Sequence, residues 1–203
     1  MKIILLTGVI GSGKDFYAEE YTRLNPTEKI KHLHFAGTLR DITEGMFNIP
    51  KGDDKAYTEF KSVPENRKFM VDLGQNLKRV YGENFFAEKI ANTILNEIGD
   101  NKDLEVRCIG VDGAWVISDD SGEAITYLVS DFRFPVEFWT MYSNFQDKLE
   151  IVFCDYHSDR YELRPEQESE QMAIWLLSKG LRDREKISVE RFIELMREYE
   201  INK

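Results

Sequence analysis

The chain opens on a short apolar run, Ile3 to Leu6, bounded at once by glycine, which predicts a buried strand. Phe16 to Leu24 predict a helix that Asn25-Pro26 stops. Lys29 to Phe35 alternates in part and predicts a second strand, ended by Ala36-Gly37. Thr38 suits the N-cap of a helix running through Met46. Residues 47–64 carry Pro50, Gly52, Asp53, Asp54 and Pro64 and predict an irregular, mobile stretch. From Arg67 to Tyr81 the apolar positions Phe69, Met70, Leu73, Leu77 and Val80 are helically spaced. Gly82 breaks that pattern, and Phe85 to Ile98 resume it through Phe86, Ile90, Ile94 and Leu95.

The second half changes texture. Leu104 to Val111, Asp112-Gly113 and Ala114 to Ser118 predict a β-hairpin, and Ala124 to Ser130 a further strand that ends in the acid Asp131. Val136 to Phe145 predict a helix and Leu149 to Cys154 a strand. A strongly polar stretch over 156–170 precedes two closing helices, near 166–179 and 188–199, the last capped by Ser188. Strands alternating with helices define an α/β class, a three-layer fold with a mainly parallel sheet, in one domain over 1–203. In such sheets ligands sit beyond the carboxyl ends of strands, where residues 8–15, 36–41 and 131–133 would meet.

Charge narrows the partners. The net charge of −10 argues against nucleic acid and acidic membranes, so an anionic substrate needs local Arg and Lys clusters. The apolar start is too short for a signal peptide or span, which makes a soluble cytoplasmic protein the expectation. Cys108 and Cys154 lie far apart without metal or redox spacing and are expected to be buried thiols of a reducing compartment. His32, His34 and His157 do not make a metal site by spacing; His32 and His34 share one strand face in structural or surface roles.

The candidate chemistry starts at Gly8-Val-Ile-Gly11-Ser12-Gly13-Lys14, which fits the phosphate-loop pattern G-x4-G-K, with Asp15 where Ser or Thr is usual. Strand, loop and helix follow in the required order, so backbone N–H groups and the helix start can face one anion, with Lys14 adding a mobile charge. The alternative is a glycine-rich turn with no ligand. Asp131, after a hydrophobic strand, fits a magnesium-holding acid or a helix cap, and Arg133 can face the same cleft or make a surface salt bridge. Arg40 can meet an acceptor phosphate. Arg67 and Gln75 share a helix face, with Gln75 able to bond a base edge. Arg160 and Arg164 can close over a transferring phosphoryl group, or lie in a solvated loop.

Four ordered segments resemble the deoxynucleoside monophosphate kinases of tailed bacteriophages. They are Gly8-x-x-x-Ser12-Gly13-Lys14-Asp15, Phe35-Ala-Gly37-Thr-Leu-Arg40-Asp41, Arg67-Lys-Phe-Met-Val-Asp-Leu-Gly74-Gln75 and Asp131-Phe-Arg133-Phe-Pro-Val-Glu137. The resemblance spans most of the chain and implies a P-loop kinase fold with a helical acceptor-binding region (38–98), a hairpin insertion (104–123) and a lid (156–170). It implies that Gly8, Gly11, Ser12, Gly13, Lys14, Asp15 and Phe16 hold ATP. Gly37, Arg40, Arg67, Gln75, Asp131 and Arg133 would hold the nucleoside monophosphate. Lys14, Asp131, Arg133, Arg160 and Arg164 would act in transfer, with Mg2+ near Asp15 or Asp131.

Three features depart from that family. Phe16 stands where a small hydroxyl residue is common, Gln167-Glu168-Ser169-Glu170 lacks the histidine of a common H-x-S-E element, and no late strand is evident between Leu181 and Ile187. The resemblance therefore implies an ATP-dependent (deoxy)nucleoside monophosphate kinase, in the host cytoplasm if phage-encoded. A kinase of another small phosphorylated metabolite and a non-catalytic nucleotide-responsive module stand as alternatives. Base preference and oligomeric state, a homodimer included, stay open.

Overall fold

The computed structural model describes residues 1–100, 106–108, 115–117, 125–156, 163, 165 and 167–202. Its centre is a five-stranded sheet in the order β2-β5-β1-β6-β7. These strands are β1 (Lys2–Thr7), β2 (Lys29–His34), β5 (Ile125–Phe132), β6 (Leu149–Phe153) and β7 (Glu185–Ile187). The first four run parallel and β7 pairs antiparallel to β6. The late strand that was not evident in the sequence is thus present as the three residues of β7. A separate antiparallel pair, β3 (Val106–Cys108) and β4 (Trp115–Ile117), forms where the hairpin was expected. The intervening residues 109–114, with the expected Asp112-Gly113 turn, lie outside the described residues.

Alternation along the central strands creates the layers. Ile3, Leu5, Tyr127, Val129 and Ile151 face one core, closed by α5 (Phe85–Asp100), α6 (Pro135–Phe145), α7 (Glu168–Ser178) and α8 (Val189–Asn202). Ile4, Leu6, Leu128 and Val152 face the other side, where Ala18, Tyr17 and Tyr21 of α1 (Lys14–Leu24) cover them. Because β1, β5 and β6 are buried on both faces, they read as continuous apolar runs. The expected three-layer α/β arrangement with a mainly parallel sheet is therefore present at the level of the layers.

Helices α2 (Gly37–Phe47), α3 (Asp54–Ser62) and α4 (Pro64–Tyr81) follow β2. Two expectations are corrected here. Residues 54–62 are helical rather than irregular: the Asp53 side chain caps α3 by accepting from Ala56 N at 2.9 Å. Thr38 is not an N-cap, since α2 starts at Gly37 after Ala36 and has no side-chain cap. Ser188 does cap α8, its hydroxyl accepting from Arg191 N at 3.2 Å. Cys154 is buried as expected, and burial pushes its thiol up to about 12. No described helix is long and apolar enough to cross a membrane.

Candidate functional site

The turn from β1 into α1 is shaped by close approach. Gly8 has φ 148, and a Cβ there would lie 2.2 Å from the Cys154 carbonyl oxygen and 2.5 Å from Ser12 Oγ. Gly13 caps α1 with φ 77, a left-handed conformation that a side chain resists. Within this loop Lys14 is only 7% exposed and turns back on it, donating to Gly8 O at 2.9 Å and Val9 O at 2.8 Å. Burial and the nearby Arg133 hold the ammonium below the usual lysine range. The loop thus offers amide donors at a helix start and a lysine whose present partners are two carbonyls and, at 3.4 Å, the Ser12 hydroxyl. An arriving anion would be a stronger partner for it.

Asp131 and Arg133 meet the loop from β5. Asp131 lies inside that strand, which continues to Phe132, and has φ 63. Leu5 pairs with Val129 and Thr7 with Phe132, so β5 carries one extra residue, a bulge over Ser130-Asp131. Asp131 is therefore a bulge residue and not a helix cap. Its Oδ1 accepts from Arg133 Nη2 at 3.1 Å. Burial pushes its carboxyl up, but Arg133 and Lys14 outweigh that and hold it below the usual range. For Arg133 burial opposes the charge, and Asp131 and Glu170 overcome it and raise its pKa.

Arg133 is not a surface salt bridge. Its Nη1 donates to Glu170 Oε1 at 2.7 Å, and the other oxygen of Glu170 accepts from Ile10 N at 2.7 Å. The Glu170 side chain is 1% exposed. It therefore ties the loop apex to Arg133 through the first turn of α7. Glu137, in the first turn of α6, accepts from Arg133 N at 2.8 Å and Phe134 N at 3.0 Å, and burial pushes it up to about 7. Sequence reasoning singled out neither acid for a role. Pro135 at the first helical position with Glu137 in the same first turn is a helix-start signal that could have found it.

The α2–α4 region gathers further cations. Arg40 donates to Glu44 Oε1 at 2.6 Å and to Asp54 Oδ1 at 2.7 Å, while its Nη2 is buried without a partner among the described residues. Its guanidinium lies 4.6 Å from the Tyr57 ring, and Lys61 Nζ lies 5.3 Å from the same ring. Burial lowers the Lys61 pKa; Asp131 opposes this, while Arg67, Arg133 and Arg40 reinforce it, which places Lys61 in the same electrostatic neighbourhood. Lys61 and Tyr57 belong to α3, which the sequence did not predict. Arg67 and Gln75 are both exposed on α4, and Gly74 approaches Leu39 of α2, to which a Cβ would stand 3.6 Å away.

Phe16 is 48% exposed and stacks on Tyr156 at 5.7 Å, with the Arg184 guanidinium 5.6 Å from its ring. Gly11 (φ 72) and Ser12 lie in the loop, Gly37 opens α2, and Asp15 is exposed in the first turn of α1. Arg160 and Arg164, the arginines of the expected lid, lie outside the described residues, and residues 168–170 of that expected segment belong to α7. The spacing of the histidines suggests no metal site, and the structure brings two of them together with an acid. One ligand atom from each of Asp15, His32 and His34 lies within 4.8 Å of the others. Asp131 Oδ2 stands 4.0 Å from His34 Nδ1, so carboxylates approach His34 from two elements.

Comparison with known protein families and with curated proteins finds no match to this chain.

Proposed function

We propose that this protein is an ATP-dependent kinase of (deoxy)nucleoside 5′-monophosphates. The observation that carries this is the meeting of Lys14, Asp131 and Arg133 at the carboxyl ends of β1 and β5, with Arg133 bonded through Glu170 to the loop apex. Phosphoryl transfer needs positioned charge more than covalent chemistry, and these residues are of that kind.

In this reading residues 8–15 cradle the triphosphate of ATP, and the Phe16–Tyr156 stack beside the loop takes the donor base. Lys14 leaves the carbonyls of Gly8 and Val9 for the phosphate oxygens. The acceptor lies over α2–α4, its phosphate facing Arg40, Lys61 and Arg67, with its base near Gln75. An oxygen of the acceptor phosphate forms a bond to the γ-phosphorus as the bond to the β–γ bridging oxygen breaks, and ADP leaves. The acceptor is already anionic, so no general base is required. Arg133 is placed to neutralise charge spread over the transferring group.

The open carboxylate of Asp15 and the outer oxygen of Asp131 suit a divalent cation held in part through water. Mg2+ there would neutralise the outer phosphates.

The test is to mix purified protein with ATP, Mg2+ and each nucleoside monophosphate in turn, following ADP and the new diphosphate by chromatography. Turnover on one or more monophosphates is expected. Turnover only on another phosphorylated metabolite would move the assignment to that acceptor. ATP binding without transfer to any acceptor, and with Arg133→Ala silent, would make it a nucleotide-responsive module instead.

A further inference from the structure

Two histidines and an aspartate from different elements converge beside the loop, and the chemistry of that trio differs from a magnesium site. His32 and His34 lie two apart on β2, an edge strand, so both rings project from one face. Their centroids are 4.2 Å apart. Asp15 reaches them from the first turn of α1, and the three ligand atoms lie within 4.8 Å of one another. Ligands about 2.1 Å from one metal stand roughly 3–3.5 Å apart, so closure needs about 1 Å of side-chain movement.

A second feature points the same way. Metal-bound imidazoles almost always have their other nitrogen fixed by a hydrogen bond. Here the buried hydroxyl of Ser130 does this for both rings, at 3.1 Å from His32 Nε2 and 2.6 Å from His34 Nδ1. The hydroxyl oxygen has two lone pairs and can accept an N–H from each ring, which leaves the second nitrogen of each ring unprotonated for a ligand. Asp131, 4.0 Å from His34, adds an outer carboxylate.

We propose that Asp15, His32 and His34 form a binding site for a borderline divalent cation such as Zn2+ or Co2+. Two imidazoles with one carboxylate favour such ions over Mg2+, which prefers an all-oxygen shell. Three protein ligands leave coordination positions open to water or to a phosphate oxygen at the neighbouring loop. The site belongs to the nucleotide-free chain and does not rest on the kinase assignment, although Asp15 is common to both.

Titration of metal-stripped protein with CoCl2, followed by the visible d–d absorption and by Zn2+ displacement, tests this. One equivalent of Co2+ should bind, Zn2+ should displace it, and equimolar Mg2+ should not. His32→Ala, His34→Ala and Asp15→Asn should each weaken binding at least about tenfold, and Ser130→Ala should weaken it by a smaller factor. Cys154→Ser should leave the spectrum unchanged. Asp15 is exposed, so Asp15→Asn reports on the site even if a histidine variant unfolds; circular dichroism checks each variant. The proposal is overturned if no Co2+ band appears, if the band survives in folded His32→Ala/His34→Ala, or if Mg2+ competes equally. Because the readout is absorption by the free protein, absence of kinase turnover would leave it standing.

Discussion

Replacing Arg133 with Met tests whether the Arg133–Glu170 pair holds the loop in place. The substitution keeps much of the volume but, among the described residues, removes the only side chain bonding Glu170, whose own side chain is 1% exposed. Glu170 then retains the Ile10 N–H as its remaining described donor. Breaking a buried pair at one end costs about 3–5 kcal/mol, and the 23% exposure of the Arg133 side chain argues for the lower figure, about 3 kcal/mol. Glu170→Gln keeps an acceptor for Ile10 N–H and leaves Arg133 its second partner, Asp131, so it should cost about 1 kcal/mol. In the double variant the Glu170 charge is no longer stranded, although Asp131 still lacks Arg133, and the cost should fall about 2 kcal/mol below the sum of the singles. Urea unfolding followed by tryptophan fluorescence measures all four corners of the cycle. Transfer activity should be lost in Arg133→Met and should not return in the double variant, although part of the stability does. Additive costs, or a loss under about 1 kcal/mol for Arg133→Met, would show that Glu170 does not depend on this guanidinium.

Gly8→Ala sets a Cβ 2.2 Å from the Cys154 carbonyl, backbone that cannot swing aside, so melting should fall by several degrees and ATP binding should be lost; an unchanged melt would refute the close approach. Asp131→Asn keeps a residue type that tolerates φ 63, so stability should change by about 1 kcal/mol or less while turnover falls about a hundredfold or more. A parallel loss of fold and activity would make Asp131 structural. Glu137, raised from 4.5 to about 7, binds more protons when folded than unfolded between those values. Its contribution is therefore present at low pH and lost as pH rises through that window, by on the order of 3 kcal/mol in total. The wild-type slope of stability against pH should flatten in Glu137→Gln; identical slopes would exclude Glu137 as the group responsible.

The elements with a strong period were legible. Helices α4, α5 and α8 repeat apolar residues every three or four positions, and the strand–loop–helix at the start announces itself through glycine and lysine. Helix α3 was missed because it is short, with only Ala56, Tyr57 and Phe60 as apolar positions, and lies between the turn-forming Gly52 and Pro64. The signal was nevertheless present: Asp53-Asp54 looked like a turn, and Asp53 is the cap that starts the helix. Missing α3 also hid Lys61 and Tyr57. Glu170 was hidden by its company, since Glu166, Glu168 and Glu170 resemble a solvated acidic face. Only its partner, thirty-seven positions away at Arg133, marks it out.

Asp131 shows why a site can elude a pattern even where the strand around it is read correctly. Tyr127 and Val129 face the core beneath α5 and α6, so strict alternation would send the Asp131 side chain into that core and Phe132 away from it. Phe132 nevertheless lies in the same core as Val129, fully buried. The extra residue in the β5 register reconciles the two, because it restores Phe132 to the apolar face and frees Asp131 from it. The cost is one left-handed non-glycine residue, about 1–2 kcal/mol. Leaving a carboxylate among Val129, Phe138 and their neighbours would cost several times that. The bulge follows from the conflict between an apolar strand that must pack and an acid that must not. That conflict directs Asp131 towards Arg133 and His34, at the end of the sheet where the glycine loop begins.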